Sequence, residues 1–348
     1  MTGRLLHAGP VIIDVVMAVD ALPRAGEGVL ASSSRTLVGG GFNVIAAAAR
    51  AGMEVVYAGA HGSGPNGDLA RAALRSEGVA VAHAPVPDAD TGFCVALVDA
   101  DAERTFVTRL GAETDLSLAE LRTLRPSPGD FVYTVGYSLL PGPRADDLLT
   151  WIDELPRGVR LVLDPAPVVG DLPRSALDRA LARVDLLSLS AAEAATMTGR
   201  TVPEEAAALL LPRVSPGGVV VVRDSARGCV VAGDGDGPRR VPGFPVRAVD
   251  TNGAGDAHVG VFTAAVASGL APPEAARRAN AAAALSVTRR GPATCPAAKE
   301  TDALLAGAAD GADPDRGLTL PEQAAPDPAD RGAAQCFDQG PTAVRGSG

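Results

Sequence analysis

Lysine is almost missing from this chain. Lys299 is the only one among 31 basic residues, and the other thirty are arginine. A Walker-type phosphate loop needs a lysine directly behind its glycines, so that route to a phosphate site is excluded. Aromatic residues make up 3% of the sequence, with one tryptophan, a thin supply of surfaces on which planar ligands stack. The four cysteines, Cys94, Cys229, Cys295 and Cys336, lack metal-ligand spacing and read as free or buried thiols of a reducing compartment, which points to the cytoplasm. Long apolar runs are also missing. The N-terminal stretch MTGRLLHAGPVIIDVV is interrupted by Pro10 and Asp14, so neither a signal peptide nor a membrane span is expected. Positive charge is in deficit: the net charge of -10 argues against nucleic acid or an anionic membrane as a partner.

The 348 residues are 47% hydrophobic, enough for one large globular domain with an appendage. Apolar β-branched runs recur, each followed by a helix-like segment: EVVYAG from Glu54, DFVYTVG from Asp130, VRLVLDP from Val159 and VDLLSLS from Val184, with GGVVVVR from Gly217 coming later. Continuous apolar strands alternating with helices predict a mostly parallel sheet covered on both faces. Two places break the alternation. TGFCVALVDADAERTFVTRL, Thr91–Leu110, reads as an antiparallel hairpin turning at Asp99–Ala102, and Val15–Val38 reads as another extended piece. Together they predict a small β-sheet lid from about 15–38 and 91–110; the alternative is an edge extension of the main sheet. From 309 to 348 the chain is rich in Asp, Pro, Ala and Gly and is expected to be a disordered or loosely docked tail to a domain spanning 1–308.

GSGPNG, Gly62–Gly67, matches the dinucleotide pattern G-x-G-x-x-G. It follows a later strand and not the first one, and no acid stands at a strand end about twenty residues on, so a tight strand–helix turn is the better reading.

Two stretches carry chemistry. In AVDTNGAGDAHVGVFTAAVASG, Ala248–Gly269, two glycines stand in the first turn of a helix-like segment, where each costs roughly 1 kcal/mol against alanine. Bare first-turn amides with the positive helix end behind them form an anion hole suited to phosphate. Asp256 beside it would either take a proton from an attacking hydroxyl or merely stabilise the helix dipole. The second stretch is VGGGFNVIAAAARAG, Val38–Gly52. Its glycines open the backbone to a polar ligand, and Asn43 offers donor and acceptor to adjacent hydroxyls or caps the helix locally. Asp14, placed at the end of the first strand, is either a further hydroxyl acceptor or a solvated acid.

Together these stretches resemble the ribokinase-like, or PfkB, family of ATP-dependent sugar and nucleoside kinases. GGGFNVIAAAARAGMEVVYAG resembles the N-terminal signature of that family and DTNGAGDAHVGVF its C-terminal one. ERTF from Glu103, GY from Gly136, DP from Asp164 and SVTRRGPATCP from Ser286 extend the likeness over roughly residues 4–305.

The resemblance implies an α/β, ribokinase-like three-layer fold: a central mostly parallel sheet, helices on both faces and the small lid. Asp256 would be the catalytic base and Gly253, Ala254 and Gly255 the anion hole. Asp14, Gly40, Gly41 and Asn43 would hold substrate hydroxyls. Apart from the resemblance, Arg104 either reaches the substrate from the lid, since arginine suits hydroxyl and phosphate recognition, or is a solvated strand residue. Glu193, Arg223 and Asn280 would serve the nucleotide, Asn280 bordering adenine. ATP would come with Mg2+, Glu193 joining the metal's water network. Asp250, Thr251 and Ser286 would hold K+ where a monovalent cation is used. A homodimer through the lid is implied as well.

The chain departs from the family pattern twice. Ser190-Ala191-Ala192-Glu193 replaces Asn-x-x-Glu, and Arg223-Asp224-Ser225 replaces Thr-x-Gly. His258, two residues past Asp256, is turned about 200° from it on a helix and reads as a packing residue. The expected reaction is phosphoryl transfer from ATP to a hydroxyl of a small unphosphorylated sugar. A nucleoside kinase is the alternative, and a non-catalytic sugar or nucleotide sensor and a dinucleotide oxidoreductase stand further off.

Overall fold

Val219–Val222 and Leu161–Leu163 are apolar at every position because both faces of their sheet are covered; all seven residues are buried. The computed structural model describes residues 3–309 apart from 102, 234 and 236, so the expected tail lies, beyond residue 309, outside the described residues. The strands are β1 (Leu5–His7), β2 (Val11–Ala18), β3 (Ser33–Gly40), β4 (Val55–Tyr57), β5 (Ala80–Val81), β6 (Phe93–Val98), β7 (Arg104–Arg109), β8 (Phe131–Val135), β9 (Arg160–Asp164), β10 (Val184–Ser190), β11 (Val219–Arg223), β12 (Cys229–Ala232) and β13 (Arg239–Val241). The helices are α1 (Phe42–Arg50), α2 (Pro65–Ser76), α3 (Leu118–Thr123), α4 (Pro143–Glu154), α5 (Arg174–Leu181), α6 (Ala191–Thr198), α7 (Pro203–Leu210), α8 (Ala254–Ala267), α9 (Pro272–Ser286) and α10 (Ala298–Ala309).

Nine strands form the main sheet in the order β13-β12-β11-β10-β9-β8-β1-β4-β5. It is parallel from β5 to β11, and β12 and β13 close one edge antiparallel. Alternate residues feed two cores. Leu5, Val221 and Phe131 join α1, α2, α8 and α9 on one face, while Leu6, Val222 and Val132 join Trp151 and Ile152 of α4 and the faces of α5 and α7 on the other. The result is the expected three-layer α/β arrangement. No helix among the described residues is long and apolar enough to cross a membrane.

The two irregular stretches do assemble into a separate sheet, in the order β3-β2-β6-β7. β2 and β6 pair parallel, while the β2–β3 and β6–β7 pairs are antiparallel. One placement needs correcting. Asp14 is not at the end of the first core strand. Gly9-Pro10 ends β1 early, and Asp14 sits in the middle of β2, inside the lid.

The root of the β6–β7 hairpin is pinned at one carboxylate. Glu113 is buried and accepts from the amide of Gly92 at 2.7 Å and from that of Gly111 at 2.8 Å. A Cβ on Gly92 would stand 2.3 Å from Glu113 Oε1, and one on Gly111 would stand 2.4 Å from the Asp90 carbonyl.

α8 is apolar all round, and Ala257–Ala265 are buried, as suits a helix inside a large domain. It lies against α1 at Gly260, where a Cβ would come within 2.6 Å of the Val44 carbonyl and 2.7 Å of Ala47 Cβ. Gly260→Ala gains up to about 1 kcal/mol of helix propensity, but overpacking costs about 1–3 kcal/mol. A net loss of roughly 1–2 kcal/mol is expected by urea titration. A variant as stable as the parent would show the two helices to be looser than this.

Candidate active site

The first turn of α8 lies beside Asn43 of α1 and Arg223 of β11. Gly253, the residue before the helix, has φ 72°, the left-handed region that favours glycine. Beyond it, the amides of Gly255 and Asp256 have no intrahelical acceptor, as for any first turn. Asp256 is supported from α1: Asn43 Nδ2 donates to Asp256 Oδ2 at 2.9 Å. The other end of the same amide, Asn43 Oδ1, accepts from the amide of Ala293 in the late loop at 2.8 Å. Asn43 thus ties together three segments distant in sequence. Burial pushes Asp256 up to about 6, with Asp164 and Glu193 adding to the rise and Asn43 and Arg223 opposing it. A carboxylate poised there is ionised at neutral pH yet basic enough to accept a proton.

Asp14, in the lid, lies within the electrostatic reach of Asp256. Burial, and the charge of Asp256 after it, push Asp14 up to about 6. The triple glycine admits side chains as well as a ligand. A Cβ on Gly39 would stand 2.0 Å from Asp14 Oδ2, and one on Gly41 2.2 Å from His7 Cε1. His7 is fully buried, stacked on Tyr133 at 4.6 Å between centroids, and pushed down to about 3 by burial.

Cross-strand registers place Asp14, Leu37, Cys94 and Thr108 in one row on the lid, with Val16, Arg35, Ala96 and Phe106 in the next. Arg104 belongs to the row beyond, on the same face, and pairs with Asp250 at the start of the glycine-rich turn before α8.

On the far wall, Arg223 closes β11. Its Nη1 donates to Asp164 Oδ2 at 2.9 Å and to Ser188 Oγ at 2.7 Å, and its Nη2 lies 3.7 Å from Glu193 Oε2. Glu193 also accepts from the amide of Ser190 at 2.7 Å, and Ser190 Oγ accepts from the amide of Glu193 at 3.2 Å. Serine in place of asparagine therefore makes a capping box for α6.

Asn280 is engaged at both ends of its amide. Its Nδ2 donates to the Val241 and Pro242 carbonyls, both at 3.0 Å, and its Oδ1 lies 3.1 Å from His258 Nε2. Both ends of the amide hold α9 to β13 and α8, and the side chain is buried. His258 points into this interior, as its place on the helix predicts, and is pushed down to about 3 by burial. Asp164 and Ser188 were not singled out in sequence. The one signal for Asp164 was an acid before proline at a strand end; Ser188, inside an apolar run, gave none.

The GSGPNG turn is also explained. The N-terminus of α2 is already met by the chain's own carboxylate: Asp90 accepts from the amides of Asn66 at 3.1 Å and Gly67 at 2.9 Å. A dinucleotide pyrophosphate would have to displace it.

The model of the pfkB family carbohydrate kinases matches residues 4–299. The chain belongs to this family. It is 32% identical over 309 residues to the uncharacterised sugar kinase YegV of Escherichia coli, covering 85% of this chain and 92% of that one. It is equally 32% identical over 311 residues to the ATP-dependent ribose-1-phosphate kinase of Halopiger xanaduensis, covering 87% and 98%. The crystal structure of adenosine kinase from Sinorhizobium meliloti superposes with a TM-score of 0.75 at 21% identity, over 88% of this chain and all of that one; at that identity the likeness is one of fold. As a PfkB-family member the chain is a phosphotransferase of the sugar and nucleoside kinase class, with ATP and Mg2+ as the usual reagents.

Magnesium fits the site as an ion brought in with the nucleotide. The charges of Asp164 and Glu193 act on Asp256, and that of Asp256 acts on Asp14. Three carboxylates, Asp164, Glu193 and Asp256, act on the single charge of Arg223, an excess of negative charge that a divalent cation on a polyphosphate would offset. Asp164 and Glu193 are the residues placed to face it. No group of three His, Cys, Asp or Glu side chains among the described residues could hold a metal alone. A monovalent ion does not fit where the resemblance put it. The Asp250 carboxylate already pairs with Arg104 and accepts from the amides of Asn252 at 2.9 Å and Gly291 at 3.0 Å, while Ser286 Oγ donates to the Ala283 carbonyl at 2.8 Å. Thr251 is exposed at the turn. No step is derived through potassium.

Proposed function

We propose that this PfkB-family kinase moves the γ-phosphoryl group of ATP to a hydroxyl of a small sugar. One observation carries the reading: Asn43 of α1 holds the Asp256 carboxylate at the helix start, 2.9 Å from its Nδ2, and Asp14 on the lid is near enough for the charge of Asp256 to raise the cost of ionising it. Two carboxylates with Asn43 between them suit the adjacent hydroxyls of a polyol. Asp256 accepts the proton of the attacking hydroxyl as its oxygen bonds to phosphorus. The bond to the leaving ADP oxygen breaks, and the first-turn amides of α8 receive the charge on the phosphoryl oxygens. The lid excludes water that would otherwise take the phosphate. Gly40 and Gly41 let the chain turn closely past Pro10 and His7 into α1, which sets Asn43 toward the acceptor, and Arg104 stands at the outer margin.

A nucleoside is the second reading, favoured by Phe106. It is 58% exposed and stands on the face of the lid that carries Asp14, where a base could stack. A screen of sugars, sugar phosphates and nucleosides for ATP-dependent product, in sodium and in potassium buffers, separates these. Turnover is expected with an unphosphorylated pentose or hexose and to similar extents in both buffers. Preference for a nucleoside or a sugar phosphate overturns the acceptor, and no turnover with any of them favours a sensor.

A homodimer through the lid belongs to the same proposal. The face opposite Asp14 carries Val15, Met17, Val95, Leu97 and Val107, an apolar strip a second copy would cover. Sedimentation of the purified chain is expected to give a dimer, and a single monomeric species overturns this.

A further inference from the structure

Arg223 is only half engaged. A guanidinium carries five N–H donors in a rigid fork. The two on Nη1 are met by Asp164 and Ser188. The Nε and Nη2 edge makes no hydrogen bond among the described residues, since Glu193 is 3.7 Å from Nη2, beyond hydrogen-bond range. That edge lies against Gly255: a Cβ there would stand 3.4 Å from both Nε and Nη2 of Arg223. The side chain is 14% exposed, while Asp164 and Glu193 are 8% and 10% exposed. A buried arginine whose open edge borders the free first-turn amides of α8 is an unmet demand for an anion at that point. Its two parallel donors match two oxygens of one phosphoryl group.

We propose that Arg223 is a catalytic residue of this kinase. Its Nε/Nη2 edge binds oxygens of the phosphoryl group in transit, opposite the Gly255 and Asp256 amides, while Asp164 and Ser188 hold it in place. This rests on the phosphotransfer reading above. Arg223 gives and takes no atoms. The acceptor oxygen–phosphorus bond forms, the phosphorus–oxygen bond to ADP breaks, the proton goes to Asp256, and the arginine meets the negative charge of the three phosphoryl oxygens. Gly255 then serves through its amide, and a Cβ at this position would sit in contact with the fork at 3.4 Å.

The test uses Arg223→Met, Arg223→Lys and Arg223→Ala in the full chain, with an acceptor that the wild type phosphorylates. Removing a donor of this kind costs about 10²–10³ in kcat. Arg223→Met is expected to lose that much while KM for the acceptor moves less than about threefold, the signature of an interaction made in the transition state. Arg223→Lys keeps the positive charge opposite Asp164 and Glu193 but lacks the fork, and is expected to melt near the wild type while recovering little of the rate. Arg223→Ala is expected to regain turnover saturably with added guanidinium ion and not with ammonium. ADP with aluminium fluoride and acceptor is expected to form a stable complex with the wild type and not with Arg223→Met. Wild-type kcat in Arg223→Lys, or a loss in Arg223→Ala that guanidinium leaves untouched, overturns the inference alone. A wild type without turnover on any acceptor overturns the phosphotransfer reading and this inference with it.

Discussion

Asp256→Asn is expected to lower turnover by about 10²–10⁴-fold, the usual range for a positioned general base, and at the same time to make the protein more stable at neutral pH. The second half follows from the sign of the shift. Burial raises Asp256 from 3.8 to about 6, so the folded chain holds this proton more tightly than the unfolded chain. The stability tied to this group is fully present below about pH 4 and is lost as pH rises through about 6. Two units at ~1.4 kcal/mol each put the cost of the ionised form at roughly 3 kcal/mol, to an order of magnitude. An asparagine of the same shape still faces Asn43 and carries no charge. Its melting temperature is expected to exceed the wild type at pH 7–8, the advantage shrinking toward pH 4. The wild-type rate is expected to fall about tenfold per pH unit below about 6, as the base is protonated. Asp14 on β2, Asp164 on β9, Glu193 on α6 and Arg223 on β11 face this group and set the midpoint together. Unchanged turnover in Asp256→Asn would end the proposal of a general base. A lower melting temperature at pH 8 would end the account of its burial.

Asn43 separates positioning from substrate binding. It donates to Asp256 and accepts from Ala293, so Asn43→Ala removes both bonds and leaves a late-loop amide unmet. A loss of about 10–10²-fold in kcat is expected, with the acid limb moved to higher pH, because the donor that holds Asp256 ionised is gone. Asn43→Asp is the sharper test. It sets a second carboxylate where the 2.9 Å donor was, and two like charges at that distance cannot both ionise freely. The limb is expected to move further up than in Asn43→Ala, toward or past neutrality. If Asn43 acts instead on the acceptor, as the glycine-rich signature implied, the loss appears in KM with the limb unmoved. Rate measurements from pH 5 to 9 on the three proteins decide between the two.

The sequence disclosed most where a local rule was broken. Gly253 and Gly255 weaken a helix start, which made Asp256 stand out, and the fold brings Asn43 and Arg223 to that turn. Uninterrupted β-branched runs announced a sheet covered on both faces, and the polar turn at Asp99–Ala102 announced the hairpin. What stayed hidden depends on approach between distant segments. Nothing local tells that Gly39 and Gly41 make room for Asp14 and His7, or that Gly260 brings α8 onto α1. Asn280 and Arg223 are both polar residues near apolar runs. Only the packed fold sends one into the interior beside His258 and the other to the helix start. The lid boundary slipped for a similar reason: the chain passes from β1 to β2 across Gly9-Pro10 within one apolar stretch, and hydropathy does not register a change of sheet.

The pin at Glu113 divides labour along the β6–β7 hairpin. Both of its ends hang from the same carboxylate, and Arg104 in its far half is tied to Asp250 ahead of α8, so the hairpin is held at two points. Phe106 and Arg104 lie toward the tip, on the face that carries Asp14. Of the two, the exposed Phe106 can be exchanged without loosening the arm, whereas replacing Arg104 frees its outer anchor.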